Sequence, residues 1–420
     1  MGCLARVLIP TRARCIETLP TGPFCFTVSH LTPATPVGVL GAGAMGTGIA
    51  QVALRAGHPV VLADARPDAA ARARDALAAA LVRDAAKGRL TCGVADALAR
   101  LTTATADRLD AFAGCGLVVE AVVEELGVKR ALFAALEAHV AGDAVLATNT
   151  SSLSIASIAG ACRRPGRVLG VHFFNPAPVL PLVEIVPALG TDPEVVRDVR
   201  ALVDAWGKTT VLAADTPGFI VNRVARPFYG EALRIHDERL ADAATIDWAL
   251  RERGGFRMGP FELMDFIGHD VNFAVTRSVY EQTFHDPRYR PSLTQQRLVE
   301  AGRLGRKTGR GFYDYADGAV RPEPDRDAAL GDAVVRRVVA MLVNEAADAV
   351  HWGVASAADV ELAMTAGVNY PRGLLAWGDL LGPAAVAAEI DALRERYQED
   401  RYRVSPLLRR AAREGGRLAP

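Results

Sequence analysis

The chain lacks a charge surplus of either sign. Lys plus Arg and Asp plus Glu both number 48 among its 420 residues. With no net field to draw it to polyanions, the sequence argues against a nucleic-acid or anionic-membrane partner. It also lacks any apolar run approaching the roughly 18 residues needed to cross a bilayer. Its six cysteines form no C-x-x-C pair, so neither a zinc site nor a disulfide framework is indicated, no metal is expected, and a reducing cytoplasm fits best. The first 36 residues are rich in Pro, Thr and Arg, and their apolar pieces are too short for a secretory core. They read as a disordered extension or a start placed too early.

What is present begins at Pro36. The stretch VGVLGAGAMGTGIAQVALRAG is a short β-branched run, then Gly41, Gly43 and Gly46, then a helical pattern ending near Gly57. This is G-x-G-x-x-G between strand and helix, with Ala44 and Met45 inside the motif. Gly41 makes the tight turn, Gly43 lets the backbone approach a pyrophosphate, and Gly46 lets helix and strand pack closely. A second strand, PVVLAD, ends in Asp64. An acid in that position binds an adenosine ribose 2′-hydroxyl and repels a 2′-phosphate, so NAD is expected rather than NADP. Arg66, two residues on, is the one neighbour that would suit a phosphate.

A long Ala- and Arg-rich helix follows, closing at Lys87 and Gly88. GLVVEAVVEE reads as a buried strand with Glu120 and Glu124 at or just past its end, KRALFAALEAHV as an amphipathic helix, and AVLATNTSSLSI as a strand entering a polar loop. Ligands of open α/β sheets lie beyond the carboxyl ends of the strands, which places Glu124, Asn149 and Ser151 near the nicotinamide half of a cofactor.

The stretch 168–186, VLGVHFFNPAPVLPLVEIV, has only His172, Asn175 and Glu184 as polar residues. Its two apolar runs read as strands joined through Pro176, Pro178 and Pro181. Folding about residue 178 sets His172 opposite Glu184, with Cβ atoms roughly 4.5–5.5 Å apart. A lone carboxylate in an apolar sheet would be costly, so Glu184 needs a partner. Such a pair is either a general base with its orienting acid or a satisfied structural pair.

From TPGFIVNR onward the pattern turns helical. Asp215 or Thr216 can cap, Pro217 suits the first turn, and Asn222 falls inside the helix, where an Asn is more often a packing or capping residue than a catalytic one. Residues 331–382 repeat 217–268 at a constant offset: Arg223 matches Arg337, Glu231 matches Glu345, Gly259 matches Gly373, Asp265 matches Asp379 and Gly268 matches Gly382. This reads as a duplicated helical domain. Arg336 occupies the Asn222 position, which points to a structural second copy.

Taken together, GAGAMGTGIA, VVEAVVEE, TNTSSLSI, GVHFFNPAPVLPLVEIV, TPGFIVNR and MGPFELMDFIG resemble the (S)-3-hydroxyacyl-CoA dehydrogenase family, above all its longer bacterial members, some of them implicated in phenylacetate breakdown. The resemblance spans about 37–411. It implies an α/β chain with an N-terminal doubly wound Rossmann-type NAD domain over 37–214 and two all-α domains. The first would cover 215–316 and the second, a degenerate copy, 329–411, with a linker at 317–328 and a tail at 412–420. It further implies oxidation of a 3-hydroxyacyl-CoA by NAD, with His172 as base, Glu184 as its orienting acid, and Ser151 and Asn222 on the substrate. Around the cofactor it implies Asp64, Glu124, Lys129 and Asn175, and for coenzyme A, Lys87. Ala80 departs from a serine that some relatives carry near that lysine. Substrates such as 3-hydroxybutyryl-CoA or 3-hydroxyadipyl-CoA are expected, in a homodimer or a pseudo-dimeric monomer. A dehydrogenase of free hydroxy or sugar acids, and an inactive nucleotide-binding structural protein, are the competing readings.

Overall fold

A computed structural model describes residues 31–66 and 68–420. Its strands are short: β1 Val37–Leu40, β2 Val60–Asp64, β3 Leu101–Thr105, β4 Leu117–Glu120, β5 Val145–Thr148, β6 Val168–Phe173, β7 Leu182–Pro187 and β8 Thr209–Leu212. They form one sheet in the order β3-β2-β1-β4-β5-β6-β7-β8. Every pairing is parallel except β6 with β7.

Alternate strand residues feed two cores, as the pleat requires. Leu40, Val118, Leu146 and Val168 point to one face, and Val39, Val119, Ala147 and Leu169 to the other. Both faces are covered by helices, which is why these strands read as continuous apolar runs. The result is a doubly wound domain whose strand order reverses between β1 and β4, followed by a helical half.

In that half the duplication is visible in detail. π-helical turns occur at Ala249–Arg253 and Ala363–Gly367, at the same offset as the sequence repeat. Asp247 accepts hydrogen bonds from the amides of Phe261 and Glu262, and Glu361 from those of Leu375 and Ala376. Arg223 of the first copy meets Glu345 of the second at 2.9 Å, while Arg337 of the second meets Glu231 of the first at 3.0 Å. Crossed pairs of this kind are the signature of an isologous, two-fold interface. All four residues are buried, so loss of any one partner would cost about 3–5 kcal/mol.

Four expectations are corrected. Residues 31–36 are not part of a disordered extension: Leu31 is buried and the Thr35 carbonyl bonds the His58 ring; residues 1–30 lie outside the described residues. The segment 412–420 is not a free tail: helix Pro406–Glu414 runs into it, Leu418 is buried, and Asp379 accepts from the amides of Leu418 and Ala419. Pro217 does not begin a helix, because residues 217–220 form a turn and the helix starts at Val221. Asp215 caps a different helix, Ile155–Ala159, through the amides of Ile155 and Ala156.

Candidate active site

The glycine motif occupies the turn from β1 into helix Ala44–Arg55. Gly41 has φ +101°, and a Cβ there would run into the Ala121 carbonyl. A Cβ on Gly46 would collide with the Gly41 carbonyl, whereas one on Gly43 would meet nothing within 4 Å. The first two glycines named are thus demanded by the fold, and Gly43 opens the backbone to a ligand. No side chain caps this helix, so its first-turn amides are available to an anion. Ala44 is exposed and Met45 half-buried beside them.

Asp64 ends β2 and accepts from the Ala42 amide at 2.8 Å and from the Arg66 amide at 2.9 Å. Burial pushes its carboxyl pKa up, but hydrogen bonds from Arg66 and Ala42 outweigh this and hold it below the usual range. The Arg66 side chain is itself engaged by Asp64 at 3.1 Å. A free amide turn and an ionised acid at the neighbouring strand end fit the pyrophosphate and ribose of a dinucleotide.

Beyond β4, one cation organises two carboxylates. Lys129 is almost wholly buried and reaches Glu120 at 2.6 Å and Glu124 at 3.2 Å. Glu124 in turn accepts from the Thr150 hydroxyl, the Ser151 amide and the Ser152 hydroxyl. Burial works to raise the Glu124 pKa, but the Lys129 charge and the bonds from Thr150 and Ser151 bring it below the ordinary value. Glu124 therefore shapes the loop that presents Ser151. Asn149 fixes the same region from the other side, its side-chain oxygen accepting from the Phe173 amide at 2.8 Å.

At the end of β6, the register pairs His172 with Glu184, and His172 Nδ1 lies 2.7 Å from Glu184 Oε2. The other oxygen, Oε1, accepts from the amides of Ile220 and Val221 at 3.0 and 2.9 Å. Those amides open helix Val221–Val224, the helix that carries Asn222. One fully buried carboxylate thereby joins the sheet to the helical half. An ionised carboxylate only accepts, so Nδ1 carries a proton and Nε2 is left as an acceptor. Phe174 and Phe219 pack on the imidazole, with ring centroids 4.5 and 5.8 Å away. Phe219 takes a positive φ of 47°, a conformation uncommon outside glycine, in the turn that aims those two amides.

Asn175 is exposed just past β6. With Gly43, Ala44, Ala80 and Arg83 it lines a cleft of about 520 Å³. Lys87 follows helix Ala69–Ala86 as its exposed C-cap. Among the described residues no three metal-ligating side chains come together.

Sequence reasoning missed Thr150 and Ser152 as partners of Glu124, and Lys208, whose ammonium donates to the carbonyls of Ala177 and Leu180 and so clips the loop between β6 and β7. Burial, and secondarily the Arg55 charge, lower the Lys208 pKa to about 8. The hydroxyl-rich TNTSS run was a signal for the first two; nothing local marked the lysine.

Comparison with known proteins adds four findings. Residues 36–216 match the 3-hydroxyacyl-CoA dehydrogenase NAD binding domain, and 218–315 with 334–418 match that family's C-terminal domain. The chain is 40% identical to the 3-hydroxyadipyl-CoA dehydrogenase of Escherichia coli (strain K12), over 90% of this chain and 97% of that protein. It is also 40% identical to the human mitochondrial hydroxyacyl-coenzyme A dehydrogenase, over 69% of this chain and 91% of the relative. Among solved structures, a 3-hydroxybutyryl-CoA dehydrogenase from Escherichia coli K12 superposes with a TM-score of 0.84 at 38% identity, covering 91% of this chain and 98% of that one.

Proposed function

Since the chain belongs to the 3-hydroxyacyl-CoA dehydrogenase family, an NAD-dependent oxidoreductase of 3-hydroxyacyl-CoA esters, we propose that His172 is its general base and Glu184 the residue that positions it. His172 Nε2 takes the proton of the 3-hydroxyl as the carbinol carbon gives up its hydride. NAD, when bound, accepts that hydride. Positive charge then develops on a buried imidazole, and Glu184, 2.7 Å from Nδ1, stabilises it. Assistance of this kind contributes about 10²–10⁴-fold. The same steps run backwards reduce a 3-oxoacyl-CoA.

Ser151 and Asn222 orient the hydroxyl and thioester oxygens. The Asn222 side chain is half-buried with no hydrogen-bond partner among the described residues, which leaves its amide for substrate. Gly41, Gly43, Gly46, Asp64, Asn149 and Asn175 border the cofactor. Glu124 and Lys129 act by shaping the Ser151 loop. Lys87, four residues beyond the Arg83 that lines the cleft, holds coenzyme A. We assign short-chain or dicarboxylyl substrates, a pathway of the phenylacetate-degrading type, and the cytoplasm; among the described residues no helix is long and apolar enough to cross a membrane. The crossed ion pairs between the two helical copies support a pseudo-dimeric monomer, with the second copy filling the place of a partner subunit.

The observation that carries this reading is the fully engaged Glu184, which commits His172 to one tautomer. NADH oxidation with acetoacetyl-CoA and with free acetoacetate tests it. Turnover that requires the thioester supports the reading; equal turnover of the free acid would replace it with a hydroxy-acid dehydrogenase.

A further inference from the structure

Arg226 is a buried cation with an unusual lack of partners. It is 6% exposed, and its one hydrogen bond runs from Nη1 to the Thr276 hydroxyl at 3.0 Å. Its Nε has no partner, and neither does the buried hydroxyl of Tyr370. The other buried arginines of the helical half all meet carboxylates: Arg223 with Glu345, Arg288 with Asp348, Arg337 with Glu231 and Arg401 with Glu231. Among the described residues Arg226 meets none. A buried charge without an anion is costly, so a position that keeps one calls for a ligand that supplies it.

Its location says which ligand. Asn222 and Arg226 are four residues apart, and Ala225 between the two helical segments keeps right-handed dihedrals, φ −78° and ψ −9°. The two side chains therefore lie on one face, about one turn or 5.4 Å apart along the axis. Helix His269–Gln282 packs beside Arg226. Its Gln282 donates to the Ser152 carbonyl beside Ser151, its Val279 packs on Gly218, and its Thr276 holds Arg226. Residues 276, 279 and 282, three apart on one helix, thus connect the guanidinium with the catalytic loop. Tyr229 shares the Arg226 face, with the guanidinium carbon 5.0 Å from its ring centroid. Tyr370 comes from the second helical copy and packs on Phe228. In that copy the positions matching Asn222 and Arg226 are Arg336 and Ala340, so the cation accompanies only the asparagine that faces substrate.

We infer that Arg226, with the Tyr370 hydroxyl, receives the distal carboxylate of a dicarboxylyl-CoA substrate whose carbinol sits between His172 and Asn222. A six-carbon diacyl chain places that carboxylate three bonds beyond the carbinol carbon, on the side away from the thioester. The guanidinium offers a planar pair of donors to it. The inference rests on the dehydrogenase reading above and narrows its acyl range.

The test compares 3-oxoadipyl-CoA with 3-oxohexanoyl-CoA, chains of equal length with and without the terminal charge, by NADH oxidation. Wild type should favour the diacyl ester. Arg226→Met should lower the ratio of the two kcat/KM values on the order of 10- to 100-fold, Arg226→Lys should recover part of it, and Tyr370→Phe should lower it a few-fold. If Arg226→Met does not fold, the ratio in the other two variants decides. A parallel fall in both esters, or a wild type with no preference, would overturn the inference while leaving the dehydrogenase intact. A wild type inactive on both esters would overturn the dehydrogenase reading itself.

Discussion

Replacing Glu184 by glutamine keeps the shape of the site and changes only what its two terminal atoms can do. In the native arrangement one oxygen faces His172 Nδ1 and the other faces the amides of Ile220 and Val221, three donors in all. Glutamine has one accepting oxygen and one donating NH₂ group. With its oxygen toward His172, the NH₂ group confronts two buried amides, and each orphaned donor costs about 1–3 kcal/mol. With its oxygen toward the amides, only the imidazole must adjust, by moving its proton to Nε2. The second arrangement is favoured, and it places a proton where the base needs a lone pair. Recovering the competent tautomer then costs about 2–4 kcal/mol, which lowers kcat by about 30- to 1000-fold. Steady-state NADH oxidation against acetoacetyl-CoA measures this, with NADH fluorescence titration to show that cofactor affinity is retained. A Glu184→Gln enzyme with kcat within about threefold of wild type would refute the tautomer argument.

Two stability predictions accompany it. Lys129→Met leaves Glu120 and Glu124 facing each other without their shared cation, and denaturant unfolding should register a loss of about 3–5 kcal/mol. Asp286 bridges the copies through Arg403 and lies beside Arg288. Burial raises its carboxyl pKa, but the Arg403 hydrogen bond and the Arg288 charge dominate and hold it at about 2, against 3.8 when free. A depressed carboxylate stabilises the fold above its unfolded pKa and ceases to do so as pH falls through the folded value. Wild type should therefore lose about 1 kcal/mol at this group between roughly pH 4 and pH 2, after allowance for solvent screening. Asp286→Asn should lack that share of the acid dependence; an identical acid profile in both would contradict the assignment.

Much of this architecture was legible in the chain because it rests on local spacing. Three prolines between two apolar runs were enough to place His172 opposite Glu184, since antiparallel register follows from where the chain turns. The helical duplication was legible because its offset is constant, and the π turns and paired caps preserve it in three dimensions. What escaped was set by partners far away in sequence. Asp215 and Pro217 satisfy the local rules for a helix start, but Glu184 takes the Ile220 and Val221 amides, and Asp215 is recruited by a helix some 60 residues earlier. The seat of Leu418 depends on Asp379, on a different helix. Arg226 gave no signal at all, because lacking a partner is a property of the folded chain alone.

The most direct measurement is single-turnover NADH oxidation by His172→Gln with acetoacetyl-CoA, alongside NADH binding. If an imidazole held by Glu184 moves the proton while the carbon centre exchanges hydride, the rate constant falls by at least about 100-fold with NADH affinity preserved. Undiminished turnover in that variant would contradict the account.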